Sequence, residues 1–464
     1  MKKKGLLSLV LILVLTAFLA ACSGSNTASN STNNNASQTT NTSNSNNTSS
    51  ANNNDGANTE ESGVSDTIDE PVTIAITNLG GSSVEQNEAT FGKAIREKFP
   101  NVTIEWKQVD KERRIEHLIL DGENVDLYIV SIGNFFNVVP QNGLNYDMTE
   151  LAEKYDVDLS GIDPAMVEPM IRNTGGELWA VPVFNSSLII YYNKDMFDEF
   201  GVDYPTDGMT WDEIFELAKN FNVTKDGKDY VGFAISSHHH TKLNNFGLEY
   251  VSPETELSTY DNEKWKSILN VFARLGEDPG YRNFMNQKEK PGPADSQDFY
   301  DGKAAMLGTI VHHIGNEIFR TMDFDWDMVA YPAYDEQPGI GSQAYPTYVG
   351  IPPFAEQKDA AMKIIKFLIS EEFQMEASRQ GNMPVLTNPE VQAVYGTAEY
   401  ADKNVMAPFY NKFAPVMHKT PYDGDVERAV TQYLADIALG NIDINTALRQ
   451  AKEQADQKIA EKKL

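Results

Sequence analysis

The chain has 464 residues, with 38 Lys and Arg against 67 Asp and Glu and a formal net charge of −29. That length allows two or three domains with sizeable cores. The acid excess excludes partners that are held by replacing phosphate counterions, so nucleic acid is not expected. The single cysteine, Cys22, excludes an intrachain disulfide framework and a cysteine-based zinc site.

In chain order, Lys2, Lys3 and Lys4 precede an apolar run from Leu6 to Phe18 and then Leu19-Ala-Ala-Cys22. A basic start, a short apolar stretch and small residues before a cleavage point predict an export signal over 1–21. The Leu-Ala-Ala-Cys ending resembles the lipobox of bacterial lipoproteins. The resemblance implies that Cys22 carries acyl chains, such as palmitate, and becomes the mature N-terminus. Residues 22–66 are rich in Ser, Asn and Thr, with Asp55 the one charge between Ser23 and Asn58. Such a stretch cannot build a core and is expected to be a disordered tether.

Beyond Pro71 the pattern changes. Strands are predicted over 72–77, 102–109 and 126–131, with helices over about 85–99 and 111–120 between them. This alternation opens an α/β sheet. Residues 181–193 read as strand-rich. Thr210 and Glu213 form a capping box ahead of the stripe Ile214, Leu217, Ala218 and Phe221. Further strands are predicted over 230–236 and 304–311, and amphipathic helices over 360–373 and 446–459.

Several of these pieces resemble family 1 extracellular solute-binding proteins, the binding subunits of ABC importers. They are Gly176-Glu-Leu-Trp-Ala-Val-Pro182, Tyr192-Asn-Lys-Asp-Met-Phe197, Trp211-Asp-Glu213, Phe299-Tyr-Asp-Gly-Lys-Ala-Ala-Met306, the 360–373 helix and Gly381-Asn-Met-Pro384. The resemblance implies an α/β, two-lobed periplasmic-binding-protein-like fold of type II. Each lobe is an open sheet flanked by helices, and several crossovers form the hinge. The lobes are expected to be 70–185 with 315–350, and 186–314 with 351–464. The implied function is a monomeric, lipid-anchored receptor on the extracytoplasmic face of a bacterial membrane. It would take a carbohydrate, expected to be an oligosaccharide, and deliver it to a permease. A sensor presenting its closed form to a membrane kinase and an extracellular glycan hydrolase are the alternatives.

Motifs for enzymatic chemistry are missing: there is no P-loop, no H-E-x-x-H and no G-x-S-x-G elbow. No catalytic residue, metal or cofactor is expected. Asp323-Phe-Asp-Trp-Asp327 imitates the start of an EF-hand but has Met328 where the loop glycine belongs. Ligand residues are sought at the carboxyl ends of strands, where open α/β sheets bind. Asn78 follows the first strand, with Asn134 and Phe136 just after the third. His239 lies in the run His238-His239-His240, and His312 and His313 follow the 304–311 strand. In the family, the segment after Ala-Val-Pro touches ligand, which implies Asn185 and Ser186. Tyr345 and Tyr348, near a later crossover, offer flat faces and hydroxyls. Gly308-Thr-Ile-Val-His312 stands where many sugar-binding relatives carry a tryptophan, a departure from the oligosaccharide pattern.

Overall fold

The computed structural model describes residues 65–311, 314 and 317–463. The predicted signal, Cys22, the tether as far as residue 64, His312 and His313 lie outside the described residues. In chain order the strands are β1 (Val72–Asn78), β2 (Val102–Lys107), β3 (Leu127–Ser131), β4 (Val181–Phe184), β5 (Leu188–Asn193), β6 (Thr224–Lys225) and β7 (Lys228–Asp229). They continue as β8 (Val231–Ile235), β9 (Ala304–Ile310), β10 (Trp326–Ala330), β11 (Ile340–Gln343), β12 (Thr347–Gly350) and β13 (Lys412–Ala414).

One sheet has the order β2-β1-β3-β12-β4 and the other β10-β5-β9-β8. In the first, β1 runs parallel to β2 and β3, while β12 is antiparallel to β3 and β4. In the second, β5 is antiparallel to β9 and β10, and β8 is parallel to β9. Central strands are buried in unbroken runs, such as Ile74–Thr77 and Leu188–Asn193, because helices cover both faces. Each sheet has its own hydrophobic core. One is built from residues between Ile74 and Phe184 plus Ala344–Ala377, the other from Leu188–Tyr334 and Tyr395–Ile459. This is the two-lobed α/β arrangement that the sequence implies.

The lobe boundaries need correcting. β10, expected in the first lobe, pairs with β5 along the edge of the second sheet. The helices Lys358–Leu368 and Glu371–Arg379, expected in the second lobe, pack into the first core, where Phe367 meets Phe99 edge-on and Phe373 stacks on Phe184. An amphipathic stripe shows which face is buried but not which sheet buries it, so periodicity could not assign these segments.

Local chemistry also reshapes three predicted helices, among them the 360–373 segment, which breaks at Ile369 and Ser370 where Ser370 Oγ accepts from Phe373 N at 3.3 Å and starts a second helix. The 85–99 segment is a helix Val84–Asn87, a wide turn Glu88–Gly92 and a helix Lys93–Lys98. The wide turn lets Glu88 accept from Trp106 Nε1 at 2.9 Å and pair with Arg96. Gly92 leaves the Glu88 carboxylate its place, since a Cβ would sit 2.2 Å from it. The 111–120 segment is helical only over Ile115–Leu120, because Asp110 Oδ1 accepts from the N–H groups of Glu112 (2.7 Å) and Arg113 (2.8 Å) and turns the chain first. The capping box forms as read: Glu213 N donates to Thr210 Oγ1 and Thr210 N to Glu213 Oε2.

A buried carboxylate ties the first sheet to its covering helix. Asp126 is fully buried and accepts from Ala75 N, Asn124 Nδ2, Glu356 N and Gln357 N, at 2.8–2.9 Å. Four donors satisfy the charge, three of them backbone groups with no other partner at hand. Asp126→Ala is expected to lower unfolding free energy by about 3 kcal/mol or more, because it orphans those donors. Urea denaturation of the two proteins checks it.

Candidate ligand cleft

The two lobes meet along a narrow polar seam where the chain crosses between sheets. The first crossing, from β4 to β5, is Asn185-Ser186-Ser187, and the second, from β11 to β12, is Ala344-Tyr345-Pro346. They are bonded together: Tyr345 N donates to Asn185 Oδ1 and to Ser186 O, both at 2.9 Å. Asn185 N donates to Met383 O at 2.9 Å, which adds the chain leaving the 371–379 helix. Leu188 N donates to Ser342 Oγ at 2.9 Å. Buried Gln343 receives Met417 N on its Oε1 (2.8 Å) and gives its Nε2 to Asn244 O (3.0 Å). β13 pairs with β11 beside these crossings.

Tyr345 touches both sides. It packs against both cores. Its hydroxyl lies 3.5 Å from Ser131 Oγ at the end of β3. Its ring occupies the space over Gly133, where a Cβ would meet the hydroxyl at 2.1 Å. On the second lobe its ring centroid is 6.3 Å from that of His239, on the helix Ser237–Lys242 that follows β8. Ser236 Oγ is 2.7 Å from His239 Nδ1 and orients that imidazole.

On the first lobe, a cavity of about 1000 Å³ opens at the carboxyl ends of β1 and β2 and along the helix Ile132–Val138 that starts beneath Tyr345. Gly80, Gly81, Asp110, Arg114, Asn137 and Gln141 are among its lining residues. Asn137 Oδ1 is buried with no hydrogen-bond partner among the described residues. Two backbone N–H donors hold the Asp110 carboxyl below the usual range, so it is a fixed negative charge at neutral pH.

The expected ligand residues separate into groups. Asn185, Ser186, His239 and Tyr345 come together at the seam, and Asn134 is exposed on the 132–138 helix close by. Asn185 is buried, with its amide shared between Tyr345 N and Met383 Sδ (3.8 Å), and Ser186 Oγ donates to Val311 O at 2.7 Å. Both serve the crossings themselves. Asn78 is occupied in shaping its loop, accepting from Gly80 N (2.9 Å) and donating to Asn87 Oδ1 (2.7 Å). Phe136 and Tyr348 are turned into the first core. Phe136 lies 4.9 Å from Phe135 between ring centroids, and Tyr348 is fully buried with its hydroxyl donating to Met166 O at 2.8 Å. These two are corrections: a strand end or crossover can be read from the sequence, but not which side chains there turn toward the core. The acidic run Asp323–Asp327 is tied by cations, Asp325 to Lys194 (2.8 Å) and Lys403 (2.5 Å). No group of described residues forms a metal site.

A cluster of charges that sequence reading missed lies on the second lobe. His238 and Lys242, on one face of the 237–242 helix, both meet Glu427 on the helix Asp423–Thr431. Lys419 and Asp423 adjoin them. Lys419 is also at the seam, since its backbone N–H donates to Asn173 Oδ1 of the first lobe at 2.8 Å, and Arg172 Nη2 donates to Val416 O at 2.6 Å. Nothing in the sequence joins residues so far apart.

Residues 81–375 match the family described as bacterial extracellular solute-binding protein. The chain belongs to that family. This solute-binding protein is 22% identical over 386 residues to a binding protein of Brucella abortus, spanning 78% of this chain and 87% of the relative. Its fold is similar to that of an ABC substrate-binding protein of Listeria monocytogenes in complex with cycloalternan. The TM-score is 0.65 at 18% identity, covering 84% of this chain and 99% of the other. It is also similar to UgpB from Mycobacterium tuberculosis in complex with glycerophosphocholine, with a TM-score of 0.64 at 17% identity, covering 85% of this chain and all of that one.

His240, next to the seam helix's exposed face, shows why neighbouring histidines differ. It is buried, with Nδ1 2.8 Å from Tyr331 Oη and Nε2 3.1 Å from Ile268 O, and burial pushes its pKa down to about 4. The unfolded chain takes up this proton near pH 6.5, which the folded protein refuses until about 4. Stability is therefore lost as pH falls through that window, by about 3 kcal/mol from this group at most. His240→Gln is expected to be less stable at pH 7 but to lose less stability between pH 6.5 and 4. Thermal unfolding across that range reads the slope.

Proposed function

We propose that this protein is the extracytoplasmic receptor of an ABC importer, tethered to the membrane through lipidated Cys22. A monomer, it binds a carbohydrate or related polyol between its lobes and hands it to the membrane permease. The observation that carries the reading is Tyr345, seated on the end of β3, the hinge crossings and His239 at once. A ligand touching that place senses both lobes. The polar residues around it suit hydroxyl recognition, with imidazole and phenol rings as flat faces and amides and carboxylates as hydrogen-bonding groups. Ligand acts by favouring the arrangement in which both walls contact it, and that arrangement is what a permease reads. No bond of the ligand is made or broken. No described helix is long and apolar enough to cross a membrane, so anchoring falls to the acyl chains of Cys22 in this reading.

A thermal-shift panel of mono- and oligosaccharides and polyols tests the ligand class. Binding to the folded state alone raises apparent stability by about 2.7 kcal/mol at 100 times Kd. A shift with at least one such compound, and its recovery unchanged after incubation, is the expected result. Tyr345→Phe, which removes only the hydroxyl over Ser131, is expected to weaken that ligand by about three- to tenfold. A panel that shifts with no polyhydroxy compound removes the reading, and a hydrolysed sugar in the mixture replaces it with catalysis.

Anchoring has its own test. Cys22→Ala is expected to move the chain from the membrane fraction to the medium and to abolish incorporation of labelled palmitate. Retention in membranes with normal labelling elsewhere contradicts it.

A further inference from the structure

Lys419 stands apart from the other lysines. Among the described residues it is the one lysine that is neither exposed nor engaged in a hydrogen bond, ion pair or aromatic contact through its Nζ. The unpaired alternatives, such as Lys111, Lys228, Lys290 and Lys412, are all exposed. A cation drawn out of water without an acceptor is costly, and folded proteins retain such groups mostly where a ligand completes them.

Its surroundings define what it lacks. The 237–242 helix contributes His238 and Lys242, the 423–431 helix contributes Asp423 and Glu427, and His418 is its neighbour in the chain. Arg172 reaches the same segment from the first lobe. Tyr250 and Tyr260 lie behind, with hydroxyls directed to Thr241 Oγ1 (3.4 Å) and Val426 O (2.6 Å). No hydrogen bond or ion pair joins the Lys419 ammonium to either carboxylate, although both act on it through space. Glu427, 4% exposed, is held by His238 and Lys242, and Asp423, 8% exposed, accepts from Thr420 N (3.2 Å) and Thr420 Oγ1 (2.6 Å). The acids are buried and engaged, whereas Lys419 is a half-buried residue with its backbone at the seam. Burial pushes its pKa down to about 8, which still leaves it cationic at neutral pH.

The aromatic side of the seam points the same way. Trp211, Trp265 and Trp326 are buried in the second core. Trp106 and Trp179 donate to Glu88 (2.9 Å) and Glu177 (2.5 Å). Stacking at the crossings is left to Tyr345 and the imidazoles, a small platform for a long neutral chain of sugars.

We infer that Lys419 is a specificity residue of the cleft and takes an anionic group, phosphate or carboxylate, borne by a polyol ligand. This rests on the receptor reading above and narrows its ligand. An ammonium offers three donors and a full charge, and charge-assisted hydrogen bonds to an oxyanion are the strong ones. The rest of the polyol faces Tyr345 and His239.

Paired probes test it: glycerol 3-phosphate against glycerol, and glucose 6-phosphate and glucuronate against glucose, by calorimetry and thermal shift on the purified chain. The expected result is binding by an anionic member and at least tenfold weaker binding by its neutral partner. The phosphate and carboxylate arms say which group is preferred. Lys419→Gln is expected to weaken the anionic probe by about 10- to 100-fold, while Lys419→Arg, which keeps the charge, retains most of the affinity. The unliganded melting temperature of Lys419→Gln should hold or rise, since an unpaired buried charge is removed. Affinity for the anionic probe should also fall as pH rises past about 8 to 9, where the ammonium loses its proton. Neutral sugars binding as well as charged ones, or Lys419→Gln leaving the anionic probe unaffected, overturns the inference and leaves the receptor reading intact. No shift with either set overturns both.

Discussion

The bifurcated hydrogen bond from Tyr345 N to Asn185 Oδ1 and Ser186 O is the constraint around which the molecule is arranged. Two cores of comparable make-up would gain apolar burial by fusing, yet the chain passes between them through short polar segments: Asn185-Ser186-Ser187, Gln343 to Pro346, and the stretch after Met383. Backbone groups there cannot join either sheet, so side-chain amides and hydroxyls of Asn185, Ser342 and Gln343 take them instead. The result is a joint held by hydrogen bonds, each worth about 1 kcal/mol net, between bodies that are each held by a full hydrophobic core.

That contrast in stiffness gives the cleft its behaviour. Changing the relative pose of the lobes strains a few polar contacts and leaves Phe99–Phe367 packing on one side and Tyr250–Trp265 stacking on the other untouched. A ligand that contacts both walls can bias such a joint. Moving a two-state equilibrium from 1:99 to 99:1 takes about 5.5 kcal/mol of differential affinity. Several hydrogen bonds made only when both lobes contact the ligand can supply that. Tyr345 is the natural place for the bias to act, because Gly133 lets its ring lie directly on the first lobe's strand end.

Much of the fold was legible because it rests on short-range pattern. The β-branched runs at 72–77 and 126–131, the Thr210–Glu213 box and the 446–459 helix appear where residue period and capping chemistry put them. What was not legible depends on pairing at a distance. β10 and the 358–379 helices were placed with the wrong core, since a stripe of Ile and Phe fits either sheet. Within the site, a strand end drew attention to His239 and a crossover to Tyr345, which do meet. The same two rules also nominated Phe136 and Tyr348, whose side chains point inward. Asn185 was read as a ligand group, whereas its buried amide is consumed by the crossings. The Lys419–Asp423–Glu427–Lys242–His238 cluster carried no sequence signal, because its two separate segments meet only in the folded chain.

This last group also explains how a strongly acidic protein can present a basic feature to a solute. Net charge sets the far field and solubility, and salt screens it over about 8 to 10 Å. Inside a partly dehydrated seam, the balance is set by which charges already have partners. Glu427 is paired with Lys242 and His238, and Asp423 is capped by Thr420 while burial pushes its pKa up. Both acids therefore make their short contacts with other groups, and the Lys419 ammonium keeps unmet donors despite a formal charge of −29 for the whole chain. Selectivity in such a cleft follows from unmet hydrogen-bonding capacity, group by group. The composition of the surface says little about it.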